Sequence, residues 1–270
     1  MCDIIYLYEN SLKDGFAMLD LQKASMLKRI SAFILDFILL ATVIVGFAFL
    51  LSAVTGYDSY NQQLDGAYTK YEEEYGVSFD MSYEDYEALP EDAKKNYDNA
   101  TTALNSDPDA RQAYDMVINL TLVITSISIL LGYVLLELIV PLLFKNGQTI
   151  GKKIFGIALM RNDGVKISTM MLFVRTILGK YTIETMVPVL IAIMVFFGGA
   201  GIIGLIVIAL IAVLQIVLLF VTKTRSVIHD LLSYTVAVDM QSQMIFNSAE
   251  ELLEYKKSLH ADIVADSDYK

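Results

Sequence analysis

Two acidic residues stand alone in long apolar stretches of the chain. The run from Ile30 to Val54 carries one charge, Asp36, and the run from Met116 to Phe144 carries one, Glu137. A charge at the centre of a spanning helix costs about 2.5 to 3.5 kcal/mol on insertion scales, so each must face a bundle interior, be paired or be protonated. On an α-helix Arg29 and Asp36 are two turns apart and share nearly one face, with Asp36 about 10 Å deeper. Glu137 precedes the end of its own run by the same seven residues, on a helix that returns to the same side, so the spacing puts both carboxylates at one depth. Carboxylates that titrate inside a membrane can exchange a proton for a metal ion, which makes Asp36 and Glu137 the candidate cation or proton site. The alternative is a satisfied polar cluster. In it Asp36 is tied to Arg29 or to a basic residue of the following cytoplasmic loop, and Glu137 is neutral and hydrogen-bonded.

Other chemistry is sparse. The sequence has no Gly-rich phosphate loop, no metal-type histidine cluster and no nucleophile triad, and His229 and His260 are too few to make one. His229 lies beside a membrane exit, where an interfacial polar role is expected. Cys2 is the one cysteine and cannot close an intramolecular disulfide. No metal, cofactor, nucleic-acid partner or enzymatic activity is expected.

The elements that must position the two carboxylates follow from composition and length. With 55% apolar residues, 19% charged and a mean hydropathy of +0.52, the 270-residue chain is a membrane protein by balance. A span needs about 20 residues to cross a hydrocarbon core about 30 Å thick. The runs 30–54 and 116–144 each suffice. Val187 to Val221 is uncharged throughout and as one helix would reach about 52 Å, so it reads as two spans, Thr182–Phe197 and Ile202–Thr222. Gly198-Gly199-Ala200-Gly201 supplies the turn between them, the alternative being one long kinked helix.

Charge sets the expected orientation. Residues 55–115 hold 15 acidic and 4 basic side chains, the whole of the net −11, whereas 145–180 hold seven basic residues against Asp163 alone. The positive-inside rule places the second segment in the cytoplasm, together with Lys28, Arg29, Lys223 and Arg225. The resulting expectation is an all-α polytopic bundle of four spans with both termini inside and an extracytoplasmic acidic helical hairpin. Its segments are a cytoplasmic N-terminal stretch 1–29, spans at 30–54 and 116–144, the acidic insertion 55–115, a basic loop 145–181, a transmembrane hairpin 182–222 and a cytoplasmic tail 223–270. The N-terminal stretch and the lack of a small-x-small site argue for a retained anchor over a cleaved signal peptide.

The insertion has helical punctuation. Ser82 with Asp85 resembles a capping box, and Asp107 precedes Pro108 at a first helical position, from which the second membrane helix should run on without a break. Nine of the sixteen tyrosines lie here among Asp and Glu, so the segment is either a solvated connector or a surface for a protein partner outside the cytoplasm. In the basic loop, 154–160, the turn at 161–164 and 165–167 together look like a small hairpin. Ser168 caps an amphipathic helix 169–180 that could lie in the interface. The tail reads as a short soluble helix around 250–257.

Three stretches, KRISAFILDFILL, GQTIGKKIFGIALMRNDG and SVIHDLLSYTVAVD, resemble the signature segments of RDD-domain membrane proteins. The resemblance covers about 22–56 and 116–240, and the one Arg and two Asp that name the family map to Arg29, Asp36 and Asp230. The long acidic insertion and the fourth span depart from the commonest short form. The resemblance implies a bacterial inner-membrane protein, with sodium–proton antiport suggested for some members. Asp230 fits an interfacial carboxylate that could pair with Arg29. Two functions are carried forward: cation transport through Asp36 and Glu137 in the plasma membrane, with homo-oligomers expected because four spans give a thin pathway, and a membrane adaptor whose acidic hairpin docks an envelope or secreted partner.

Overall fold

The computed structural model describes residues 21–144, 146–196 and 199–268, with side chains as far as 258. Cys2, Lys145, Phe197 and Gly198 lie outside the described residues. Among the described residues, four helices are long and apolar enough to cross a membrane: α1 (Met26–Thr55), α5 (Pro108–Leu143), α7 (Thr169–Phe196) and α8 (Gly201–Val221). Between α1 and α5 come α2 (Tyr57–Tyr75), α3 (Tyr83–Glu87) and α4 (Glu91–Ser106). Between α5 and α7 come α6 (Ile150–Ile154) and β1 (Ile157–Arg161). After α8 follow α9 (Ile228–Leu232), β2 (Thr235–Asp239) and α10 (Ala249–Asp268).

The break predicted at the glycines is present. α7 ends at Phe196 and α8 starts at Gly201, and the two pack against each other. Two expectations need correction. The amphipathic segment 169–180 and the third span are one helix, because nothing between Lys180 and Thr182 interrupts it and Ser168 caps the whole through the Met171 N–H. The predicted local hairpin is reduced to a single bridge between Met160 and Lys166. β1 instead pairs antiparallel with β2 from Ile157 opposite Asp239 to Arg161 opposite Thr235, so the architecture is mostly helical with a small sheet. Both faces of this ladder are covered, which explains its unbroken apolar sequences. Ile157, Leu159 and Ala237 pack with Ala24, Ala32, Ile167 and Leu172, while Ala158, Met160, Val236 and Val238 form a second cluster. Residues 22–24 run along the free edge of β2 through the Asp239 N–H on Gln22 O and the Ala24 N–H on Ala237 O.

The chain divides into two compact units, one of residues 1–42 with 130–270 and one of 43–129. In the second, α2 and α4 pack side by side, Ser82 and Asp85 form the capping box, and the Asp107 carboxylate accepts the Asp109 and Ala110 N–H groups as it starts α5. Tyr71 donates to Asp107 at 2.9 Å, and this bond leads the interactions that hold the Asp107 carboxyl below its usual range. Three more of the tyrosines are used internally, with Tyr68, Phe79, Tyr97 and Tyr86 forming a chain of ring contacts with centroids 5.1 to 5.7 Å apart, while Tyr83 and Tyr114 are exposed. α5 runs without a break from Pro108 to Leu143, as the punctuation predicts. It widens to a π-helix over Val134–Ile139, and α7 does the same over Val174–Met186. π segments are rare and concentrate at functional sites. Glu137 lies in the first and Arg175, Thr176, Lys180 and Glu184 in the second.

Candidate functional site

Asp36 meets the GQTIG segment. The Gly151 N–H donates to its Oδ1 at 2.7 Å, the Thr149 hydroxyl donates to Oδ2, and Lys152 Nζ lies 3.9 Å from Oδ2. Thr149 does double duty, since its oxygen also accepts the Lys152 N–H at the start of α6 and the Lys152 ammonium at 3.1 Å. The glycine is obligatory. A Cβ on residue 151 would collide with the Ala32 carbonyl oxygen and stand 2.9 Å from the Asp36 carboxylate, so only glycine brings the amide to the carboxylate. Gln148, buried, donates to the Ile157 carbonyl at 2.7 Å and fixes the same segment to β1.

Glu137 is also buried and also paired with a lysine. Lys180 Nζ lies 2.5 Å from its Oε2, and the Thr176 hydroxyl donates to its main-chain carbonyl at 2.9 Å. The expectation of a neutral, hydrogen-bonded Glu137 is therefore replaced by an ion pair. Lys152 is the group the two carboxylates share, being attracted by both Glu137 and Asp36. Desolvation, reinforced by Lys180, outweighs that attraction and pushes the Lys152 ammonium down to about 8.

A third cluster lies around Asp230 on α9. Arg175 donates to its carboxylate and, at 2.6 Å, to the Thr235 hydroxyl, and Arg29 Nη2 approaches it to 3.6 Å. Burial opposes ionisation of Asp230, yet the Arg175 and Arg29 guanidinium groups hold its carboxyl well below the usual range. Beside it, Glu184 accepts the His229 backbone N–H at 2.9 Å and faces the ring Nδ1 at 2.7 Å. Burial, then repulsion by Arg175, pushes the His229 imidazole below its ordinary value, so it is neutral at pH 7 and donates from Nδ1 to Glu184. Asp36 meets Lys152, Glu137 meets Lys180, and Asp230 meets Arg175 and Arg29, while Glu184 is met by His229 rather than by a cation, so the unit gathers four carboxylates and four cations. Neutrality of this kind is what lets charged side chains persist in a low-dielectric setting.

α9 reaches this cluster because α7 carries Gly179. A Cβ there would lie 2.5 Å from His229 Cβ and 2.7 Å from its Cα. Gly179→Ala is expected to lower stability by about 1–3 kcal/mol through overpacking and to pull His229 away from Glu184. Thermal unfolding and the His229 ring resonance check this.

The geometry of Arg29, Asp36 and Asp230 in one unit has a counterpart in sequence comparison, where the model of the RDD family matches residues 23–234. The chain belongs to the RDD family. Neither the curated proteins nor the solved structures contain a match to it. With four apolar helices, it is an RDD-family membrane protein. Of the three residues on which the sequence resemblance rested, Arg29 and Asp230 lie 3.6 Å apart, while Asp36 is bound by Thr149, Gly151 and Lys152 rather than by Arg29. Sequence reasoning passed over Arg175, Lys180, Glu184 and Lys152 as site residues. For Arg175, Lys180 and Glu184 the signal available was their recurrence on 175–184 of α7, which reads as amphipathic surface until the π-helix is known.

Proposed function

We propose that this RDD-family protein exchanges a small cation such as Na⁺ for a proton, with Asp36 and Glu137 as the cation-binding carboxylates. What carries the reading is Lys152, whose ammonium stands 3.9 Å from Asp36 and is attracted by Glu137 as well. A cation that binds Asp36 must displace that ammonium or find it deprotonated. Because burial holds Lys152 at about 8, loss of its proton is within reach of ordinary conditions, and cation entry and proton release become one event.

The test is ion-dependent proton flux in proteoliposomes across a pH series. Flux in the wild type rises as the pH passes through about 8, where Lys152 gives up its proton. Lys152→Gln, permanently neutral, loses that step. A wild type without ion-dependent flux under any gradient overturns the reading.

Orientation follows the charge distribution, with residues 55–115 outside and both termini inside a multi-pass plasma-membrane protein. Cysteine introduced at Asn61 or Asn99 in a Cys2-free background is expected to react with an impermeant maleimide on intact cells, and cysteine at Asn146 is not. The opposite pattern reverses the topology.

A further inference from the structure

We infer that Lys223 and Arg225 bind the phosphate of an anionic phospholipid at the end of α8. The inference is independent of cation exchange. The turn after α8 is closed by the Arg225 N–H on the Thr222 carbonyl at 3.0 Å and the Ser226 N–H on the Thr222 hydroxyl at 2.7 Å. Arg225 is thereby held at φ 52°, a conformation that favours glycine and that L side chains rarely adopt. The backbone thus gives no reason for an arginine here, and the reason must lie in the side chain.

Two neighbouring cations are occupied by main chain. Lys23 Nζ donates to the Lys223 carbonyl at 2.8 Å, and Arg29 Nη1 donates to the Arg225 carbonyl at 2.7 Å. The nearby acids are also taken, Asp230 by Arg175 and Arg29, and Asp239 by Lys28. Lys223 and Arg225 are exposed, and among the described residues neither has a carboxylate within ion-pair distance. Positive charge therefore accumulates at one spot, against the mutual repulsion of Arg29 and Arg225. Immediately before these cations in the chain are the exposed apolar side chains Phe220 (74%) and Val221 (75%) of α8, and α1, which Arg29 ties to this turn, carries exposed Leu27 (78%). An apolar surface running into a cluster of unmatched cations fits a molecule that is anionic at one end and hydrocarbon at the other. A free phosphate ion satisfies only half of that description. Polybasic sites next to membrane helices attract anionic lipids by the same physics.

The side chains can be removed without touching the bonds that shape the turn, because Lys23 and Arg29 hold main-chain carbonyls. The experiment is native mass spectrometry of the full chain from mixed micelles of equal phosphatidylglycerol and phosphatidylcholine. Wild type retains phosphatidylglycerol preferentially, and the preference falls roughly fivefold for each cation removed, in Lys223→Gln alone and further in Lys223→Gln with Arg225→Gly. Melting of the double variant is unchanged or raised, since glycine relieves the backbone at 225. A control of equal charge, Lys256→Gln with Lys257→Gln on α10, keeps the preference. The proposal is overturned if wild type shows no preference, if the double variant retains it, or if the control loses as much. It is also overturned if excess inorganic phosphate abolishes it, because the site would then read free phosphate.

Discussion

Asp230→Asn is expected to cost about 3–5 kcal/mol in thermal unfolding of the detergent-solubilised protein, the largest loss of any single change in the cluster. The carboxylate is 1% exposed and balances two guanidinium groups, so its neutral isostere leaves Arg175 buried without a counter-charge. The same substitution weakens the acceptor of the Val227 N–H that starts α9. Arg29→Gln costs less, because its nearer nitrogen is 3.6 Å away and its side chain is partly exposed. Adding Arg175→Met to Asp230→Asn recovers much of the stability, since exchanging both members of a buried pair is commonly close to neutral. The sign of the pH dependence follows from the lowered carboxyl. Asp230 adds stability at every pH above its unfolded value near 4, and that contribution fades as the pH falls further. Asp230→Asn therefore flattens the acid limb of the stability profile. If its melting temperature matches wild type, the Arg175–Asp230 pair is not what holds α9 to α7.

How much of this was legible in the chain depends on the range of the interaction. The number of long apolar helices and the break between the last two follow from rise per residue and the position of glycines, both local quantities; four such helices are present among the described residues, with the break between Phe196 and Gly201, whereas the third is longer than its apolar run because it absorbs 169–180. The matching depth of Asp36 and Glu137 is also a counting argument. Their partners are another matter. Arg29 shares a helix face with Asp36, but the partner it reaches is Asp230, brought back by the turn after α8, while Asp36, two turns further along α1, meets a main-chain N–H of Gly151. Main-chain donors have no signature in side-chain sequence, and GQTIG signals close approach without naming what approaches. The strand at 157–161 had two apolar segments available. Residues 235–239 win because they offer five consecutive ladder positions, whereas 165–167 are drawn off by Ile167 packing into the core and by the Lys166 N–H on Phe246 O. The π-helical stretch of α7 has no sequence signal, and it sets the positions of Arg175, Lys180 and Glu184.

Asp36→Asn separates an exchange site from a scaffold, and it is expected to abolish cation-dependent proton flux while leaving the protein folded. Asparagine keeps Oδ1 to accept the Gly151 N–H, and its Nδ2 in place of Oδ2 donates to the Thr149 hydroxyl oxygen once that hydroxyl turns, so the GQTIG segment stays on α1. What is lost is the charge opposite Lys152. In an ordinary buried pair that loss strands a full cation, but Lys152 titrates at about 8 and falls lower still without Asp36. Shedding its proton at pH 7 costs no more than about 1.4 kcal/mol, one unit of pKa, which bounds the expected destabilisation. Asp36→Asn with Lys152→Gln should return to wild-type melting and remain without flux. Glu137→Gln behaves differently, because Lys180 at 2.5 Å is left facing a neutral group on an interior face, and a stability loss accompanies the loss of flux. The pair of readouts, thermal unfolding and proteoliposome flux, therefore gives opposite signatures for the two carboxylates. Flux that survives Asp36→Asn removes Asp36 from the exchange path. A collapse of the Asp36→Asn protein that Lys152→Gln rescues in both stability and flux assigns Asp36 to holding the fold, with the cation bound elsewhere.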